Sequence, residues 1–345
     1  MQFNLVLGFI GLTLFFFSCK EVKTPEAKET VYILAREQAG PNQPFMGVVY
    51  KNGVPDTIKV NNDGLNVIDF AVNNGDEYVL ANQYTSAGVN NIQIFKNGVS
   101  IQSFGNGRPY FPTGIALLNQ DIRVVGLKIA NNLQGLSLWG NGTWTDITTS
   151  NLKVQGPGIK VFGSDIYLTG QQETFPNNGG WNIAKYWKNG VEVVLGDSIS
   201  ESRVDGFAVS GSDVLAAGKR FSQPCYWKNK TITYLANPNN NNEYGMGLSA
   251  AFNGNDIYIA GTFRTAPGKE QAVYWKNGNL VQLTTDQANA SVNDMKVKDN
   301  NLYFAGYSRQ TSSANPKAMY WKNDVATVLN ASPTTISEAI KIIVQ

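Results

Sequence analysis

A phrase of two aromatic residues, lysine, asparagine and glycine returns along the whole chain, and its period decides what the chain can fold into. It is clearest at Tyr186-Trp187-Lys188-Asn189-Gly190, Tyr226-Trp227-Lys228-Asn229, Tyr274-Trp275-Lys276-Asn277-Gly278 and Tyr320-Trp321-Lys322-Asn323. Weaker copies stand at Tyr50-Lys51-Asn52-Gly53, Phe95-Lys96-Asn97-Gly98 and Trp139-Gly140-Asn141-Gly142. The asparagines at 52, 97, 141, 189, 229, 277 and 323 are 45, 44, 48, 40, 48 and 46 residues apart. That period belongs to propeller blades and other repeat arrays, whose units bury their apolar faces only by stacking on neighbours.

One unit reads as four short strands. Val292 to Val297, Asn301 to Gly306, Ala318 to Asn323 and Val325 to Leu329 are β-type runs separated by turn residues. Asn-Gly pairs suit a type I′ hairpin, which needs positive φ at both central positions. An apolar residue follows the turn Asn by six places in six copies, whereas the second copy has Ser103 there and is expected to slip by one to Phe104. Second strands such as Tyr258-Ile259-Ala260-Gly261 finish on Gly or Ala, which predicts close backbone approach where the strand leaves the sheet. First strands align as Phe70-Ala71-Val72, Ile159-Lys160-Val161, Leu248-Ser249-Ala250, Met295-Lys296-Val297 and Ile340-Lys341-Ile342, which places Lys160, Lys296 and Lys341 at equivalent positions, in a wet channel mouth.

The copy starting at Val31 lacks a first strand, and the chain carries a surplus one at Ile336 to Val344. Joined, they complete a blade, so the expected fold is all-β: a monomeric seven-bladed β-propeller over 31–345 with four-stranded blades, its ring closed by the C-terminal strand. An open solenoid leaves that strand unexplained. The repeated Tyr and Trp belong to inter-blade core, each burying roughly 150–250 Å².

The N-terminus predicts export. Leu5 to Phe17 is an apolar run too short to span a membrane comfortably, and it ends at Ser18-Cys19 before Lys20-Glu21. Residues 1–18 read as a lipoprotein signal peptide, Cys19 as the lipid-bearing N-terminus and 19–30 as a flexible tether; a plain secretory signal or an uncleaved anchor is the alternative. With Cys19 acylated, Cys225 stands alone and no internal disulfide forms; it reads as a tolerated strand residue. A net charge of +2 gives no case for nucleic acid.

The Tyr-Trp-Lys-Asn-Gly hairpins, strands such as Asp256 to Gly261, and Ser18-Cys19-Lys20-Glu21 together resemble the YWKNG-repeat propeller lipoproteins of Bacteroidota. The resemblance covers 31–345 and the lipidation region. It implies a propeller held at the bacterial outer membrane, surface-exposed through the charged stretch after the cysteine, and it supplies no catalytic residues.

The chain contains no histidine. That excludes Ser-His-Asp and Cys-His nucleophiles, His-ligated metals and His-held haem. No cofactor or metal is expected: paired-cysteine spacing and a phosphate loop are both missing. Asp76, Asp121, Asp165, Asp213, Asp256 and Asp299 fall at repeat turns and read as turn acceptors. Asp69, Asp205, Asp294 and Glu338, near first-strand starts, are the carboxylates worth testing for catalysis.

Loops that depart from the repeat are the better candidates for binding. Trp181 and Phe175 lie on the Gln171 to Asn182 connection, Arg108 and Tyr110 on a second, and Tyr244 on a third. Arg220, Arg264 and Arg309, with Arg36, Lys128 and Lys219, follow second strands, where they rim one face as solvated charges or as an anion site. The expected function is non-catalytic binding of an envelope protein or glycan through that face; the alternative is a carboxylate-dependent polysaccharide hydrolase or lyase.

Overall fold

The computed structural model describes residues 29–345 apart from 41, 61–63, 85–89, 106–108, 132, 149–152, 175–179, 198–199, 237–244, 267–268, 286–288, 310 and 312–313. Every element among the described residues is a β-strand, and the strands form seven four-stranded antiparallel sheets. In six of them the order in space is the order in sequence. The remaining sheet, blade 1, takes its inner strand from Ile336–Val344, which pairs with Val31–Gln38 from Val31↔Val344 to Gln38↔Ile336. The inner strands of blades 2–7 are Gly64–Asn73, Tyr110–Leu118, Val154–Phe162, Ser202–Ser210, Gly245–Asn253 and Asn289–Lys298. Each touches the next, and the series closes through Ile336–Val344 back to Gly64–Asn73. The chain is a seven-bladed β-propeller.

Connections between second and third strands, and between blades, leave on one side, the loop face; the tight hairpins leave on the other, the hairpin face. Thr30 seals the ring on the hairpin side by exchanging backbone hydrogen bonds with Gln345 (2.8 and 3.0 Å), and Lys322 reaches Glu29 at 3.2 Å. The tether expected to run to residue 30 therefore gives way to bound chain by Glu29.

The repeated phrase is a turn lock. In blade 6 the Asn277 amide donates to Asp256 (2.8 Å) while its oxygen accepts from the Ile257 N–H (2.9 Å). Lys276 pairs with Asp256 at 2.9 Å and lies over the Tyr258 ring at 5.5 Å. The same lock recurs with Asp76, Asp165 and Asp213. The aspartates thus tie two neighbouring hairpin turns together, a longer reach than a turn acceptor's. Asn277 and Gly278 have φ of 51° and 86°, as a type I′ turn demands.

The core lies between blades. Trp187, Trp227, Trp275 and Trp321 are at most 1% exposed. Outer strands such as Val54–Thr57 and Val325–Val328 are four residues long and exposed, which keeps the sheet edges short. After each outer strand one residue returns a backbone N–H to the third strand, among them Ile58 to Gly47 (2.9 Å) and Leu329 to Ala318 (2.9 Å). In blade 2 that residue is Phe104, bonded to Ile92 at 2.8 Å across a register shift, as its sequence predicts.

Every inner strand carries a register irregularity, for instance between Val204 and Gly206 or Val292 and Asp294. This corrects the reason given for the second-strand glycines. Asp256–Ala266 runs on past Gly261, so the glycine does not end the strand; it faces Gly247, just before the bulge. A Cβ there would lie 1.9 Å from the Met246 carbonyl oxygen, and one at Gly306 would lie 2.0 Å from that of Ser291. The bulge pushes a carbonyl into the space a side chain would take.

Candidate functional site: the central channel and the loop face

Just past the bulges, one residue from each blade forms a ring around the axis: Asp69, Gly114, Gly158, Gly206, Ser249, Asp294 and Lys341, for blades 2–7 and then 1. Lys160 and Lys296 stand two residues further toward the hairpin face, level with Ala71, Ala116, Ala208, Ala251 and Ile343. The three lysines are therefore not equivalent: Lys341 is the first residue past its blade's bulge, level with Asp294, whereas Lys160 and Lys296 lie two residues further on; likewise Ser249 belongs with the aspartates. Asp69 and Asp294 lie mid-strand within the channel, whereas Glu338, nearer a strand start, pairs with Arg36 at 2.9 Å.

Side chains of this ring clasp the next blade. Asp69 accepts from the Ile115 N–H (2.9 Å), Ser249 from the Met295 N–H (3.1 Å) and Asp294 from the Ile342 N–H (3.2 Å). Ser249 also donates to Asp294 at 2.8 Å. Lys341 meets Asp69 at 2.8 Å and Lys296 meets Asp294 at 3.0 Å. Burial alone would raise the Asp294 pKa, but the Lys296, Lys341 and Lys160 ammonium groups and the Ser249 hydroxyl outweigh it and hold the carboxyl far below its ordinary range. Lys341 is held above its usual range, since Asp69 and Asp294 outweigh its burial.

Lys160 is the surplus charge. Among the described residues no hydrogen bond or ion pair reaches its ammonium group. Repulsion from Lys296, then burial, then Lys341 push its pKa down to about 7 against the pull of Asp294 and Asp69. Two cavities meet at its side chain, one of about 230 Å³ on the loop-face side and one of about 290 Å³ on the hairpin side. The upper cavity is lined by Gly158 and Gly206 of the ring on one side and by Asp294, Lys341 and Asp69 on the other. Asp205, a bulge residue, lines it too: burial raises its pKa against the Arg203 guanidinium at 2.5 Å, and its Oδ2 has no hydrogen-bond partner among the described residues.

On the loop face the basic residues do not converge. Lys128 is paired with Asp146 (2.5 Å), Arg220 with Asp197, and Arg264 with Glu270 (2.9 Å). Arg220 also donates to Ser200 (2.8 Å) and Tyr234 (3.0 Å), so it braces a blade junction. The Arg309 Nε is buried with no hydrogen-bond partner among the described residues. Tyr110 is stacked flat on Trp144 at 4.8 Å and carries Lys128 above its ring. Cys19, Arg108, Phe175 and Tyr244 lie outside the described residues. Trp181 is 47% exposed and meets Phe221 of the neighbouring blade edge-on, with centroids 6.3 Å apart.

Sequence reasoning missed Phe221, which is 51% exposed and has φ of 52°, an unusual conformation for a bulky residue. Its only signal was an aromatic in a very short second-to-third-strand turn. It also missed Lys160 as the odd charge, which becomes visible only when first strands are aligned through their bulges.

No family model and no curated protein matches this chain. Among solved structures it is similar to the β-propeller domain of the Trilobed protease from Pyrococcus furiosus, at 10% identity and a TM-score of 0.55, covering 89% of this chain and 94% of that one. It is also similar to a puromycin-hydrolysing peptidase of Mycobacterium tuberculosis (9%, TM-score 0.56, 83% of this chain and 50% of that one) and to the acylaminoacyl peptidase of Pyrococcus horikoshii (10%, TM-score 0.53, 88% and 51%). This chain spans about half the length of those two peptidases. These likenesses show the fold alone. The Pyrococcus furiosus propeller has an open velcro topology, whereas here the C-terminal strand pairs into blade 1.

Proposed function

We propose that this chain is a recognition propeller, anchored at the bacterial outer membrane through a lipid on Cys19, that binds a glycan on its loop face. The observation that carries this reading is the Trp181 and Phe221 pair, two half-exposed rings held edge to face across the junction of blades 4 and 5. Aromatic rings that protein packing leaves uncovered offer a flat apolar surface to a sugar ring. Phe221 holds a strained backbone there, as residues at binding sites often do. The short export sequence ending at Ser18-Cys19 supports the anchor. The test is binding of the full chain, purified in detergent, to an array of envelope glycans. Trp181→Ala and Phe221→Ala should each weaken binding at least tenfold while leaving thermal stability unchanged; wild-type silence on every glycan overturns this reading and moves weight to a protein partner.

One observation favours a second reading, a carboxylate-dependent polysaccharide hydrolase or lyase. Asp205 and Asp294 line one cavity with pKa values pushed in opposite directions, the arrangement that separates an acid from a base. Turnover of any polysaccharide, abolished in Asp205→Asn, would establish it.

A further inference from the structure

The channel holds a feature that recognition on the loop face does not use. In the ring past the bulges, charge is confined to Asp294, Lys341 and Asp69, on blades 7, 1 and 2, and each is engaged by a neighbour. On the opposite arc Gly158 and Gly206 line the upper cavity with backbone, packed so closely that a Cβ would lie 2.8 Å from the Thr169 hydroxyl at Gly158 and 2.6 Å from the Ser249 backbone at Gly206. Lys160 rises beside this space from blade 4. The ion pairs Lys341 to Asp69 and Lys296 to Asp294 neutralise themselves, and Asp205 is matched by Arg203. One ammonium group is left over, on the wall of a cavity that a small molecule would fill.

We propose that the upper channel cavity is a binding site for a small monocarboxylate, its carboxylate paired with the Lys160 ammonium group. Several observations select that class. The surplus is a single positive charge, so one negative charge completes it. Asp69, Asp205 and Asp294 line the same walls and would repel a dianion such as hydrogen phosphate. Hydroxyl and amide groups of Thr113, Thr169, Ser249 and Asn293 also line the cavity, alongside the apolar Ile68, Leu248 and Ile340, which suits a short polar body behind the carboxylate. A cavity of about 230 Å³ accepts nothing much larger than a monosaccharide acid.

Binding is coupled to protonation. The groups that face Lys160 are Lys296 and Asp294 from blade 7, Lys341 from blade 1, Asp69 from blade 2, Asp205 with Arg203 from blade 5, and Tyr167, its cross-strand partner in blade 4. Their sum leaves Lys160 part-neutral near pH 7, and an arriving carboxylate draws a proton onto it. A group with a pKa of about 7 loses roughly a hundredfold of its protonated fraction between pH 6 and pH 9, and affinity should fall with it.

The experiment is isothermal titration of the full chain with acetate, lactate and galacturonate, and with inorganic phosphate for comparison, at pH 6, 7.5 and 9. One equivalent of at least one monocarboxylate should bind, more tightly than phosphate at pH 7.5 and 9, where phosphate is mainly the dianion, and roughly a hundredfold more weakly at pH 9 than at pH 6. Titrations at pH 7.5 in buffers of different ionisation enthalpy should show proton uptake. Lys160→Met, which keeps the volume and removes the charge, should abolish binding with the melting transition intact, while Lys160→Arg should retain it without the pH dependence below pH 9. Should Lys160→Met fail to fold, wild-type proton uptake decides the matter alone. Absence of saturable binding at pH 6, tighter binding of phosphate at pH 7.5 or 9, or undiminished binding by a folded Lys160→Met protein overturns the proposal. Since Trp181→Ala leaves the channel untouched, glycan binding and channel binding fail independently.

Discussion

Lys341, four residues before Gln345, places its ammonium nitrogen 2.8 Å from the Asp69 carboxylate on the neighbouring blade, across the seam where the ring closes. Asp294 holds the other side of the same strand through the Ile342 N–H at 3.2 Å. The last strand is thus fastened to both neighbouring blades by buried polar groups as well as to Val31–Gln38 by its ladder. Lys341→Met leaves Asp69 a buried carboxylate without its counter-charge and should cost about 3–5 kcal/mol, whereas Lys341→Met combined with Asp69→Asn should recover much of the loss. Urea unfolding of the four proteins of that cycle measures it.

Lys160 makes stability depend on pH in an unusual sense. Its folded pKa of about 7 lies below the unfolded value of a lysine, so between these values the unfolded chain binds the proton and the folded chain does not. Stability contributed by this group therefore rises as pH increases from about 7 to 10, and it is lowest where Lys160 is charged in both states. Melting temperatures in carboxylate-free buffer should rise across that range in the wild type relative to Lys160→Met, and the variant should be the more stable at pH 6.5. Lys341, whose folded pKa is raised, acts oppositely, and its contribution is lost above the unfolded lysine value.

The turn lock divides its work unequally. Asn277→Ala removes two hydrogen bonds and places alanine at a φ of 51°, so it should cost about 1–2 kcal/mol. Lys276→Ala removes only an exposed ion pair and a ring contact, and its smaller loss should shrink further in 0.5 M salt. Thermal melts at two ionic strengths separate the two.

Gly261→Ala sets a methyl group 1.9 Å from the Met246 carbonyl oxygen and should destabilise by about 1–3 kcal/mol, despite alanine's usual advantage in a strand. The same substitution at Gly40, with nothing within 4 Å among the described residues, should be nearly silent in the same denaturant titration.

Cys225 is fully buried in the inter-blade core, and burial pushes its thiol well above its ordinary pKa against the influence of Arg220. Its reaction with a disulfide reagent should be undetectable in the native protein and complete on unfolding, so the labelling rate reports opening of the junction between blades 4 and 5.

The architecture was legible because the period, the turn asparagines and the unmatched strands at the two ends all point to one ring. Even the slip at Phe104 could be read, since one missing apolar residue is displaced by one place. What could not be read was the inside of the channel. A bulge shifts the facing of everything after it, and Ile340-Lys341-Ile342 looks superficially like Met295-Lys296-Val297 although Lys341 lies level with Asp294. Nor could sequence distinguish paired from free arginines on the loop face: Arg36 meets Glu338, 302 residues away. Trp181 stood out because it broke the repeat, but its partner Phe221 is a neighbour only through blade packing.

The hydrogen bonds between Thr30 and Gln345 fix more than the ring. They make the chain enter at the hairpin face, so anything fastened to its N-terminal extension pulls from that side. Were the proposed lipid on Cys19 to hold the molecule, its aromatic pair and the mouth of its upper cavity would lie on the face opposite the attachment.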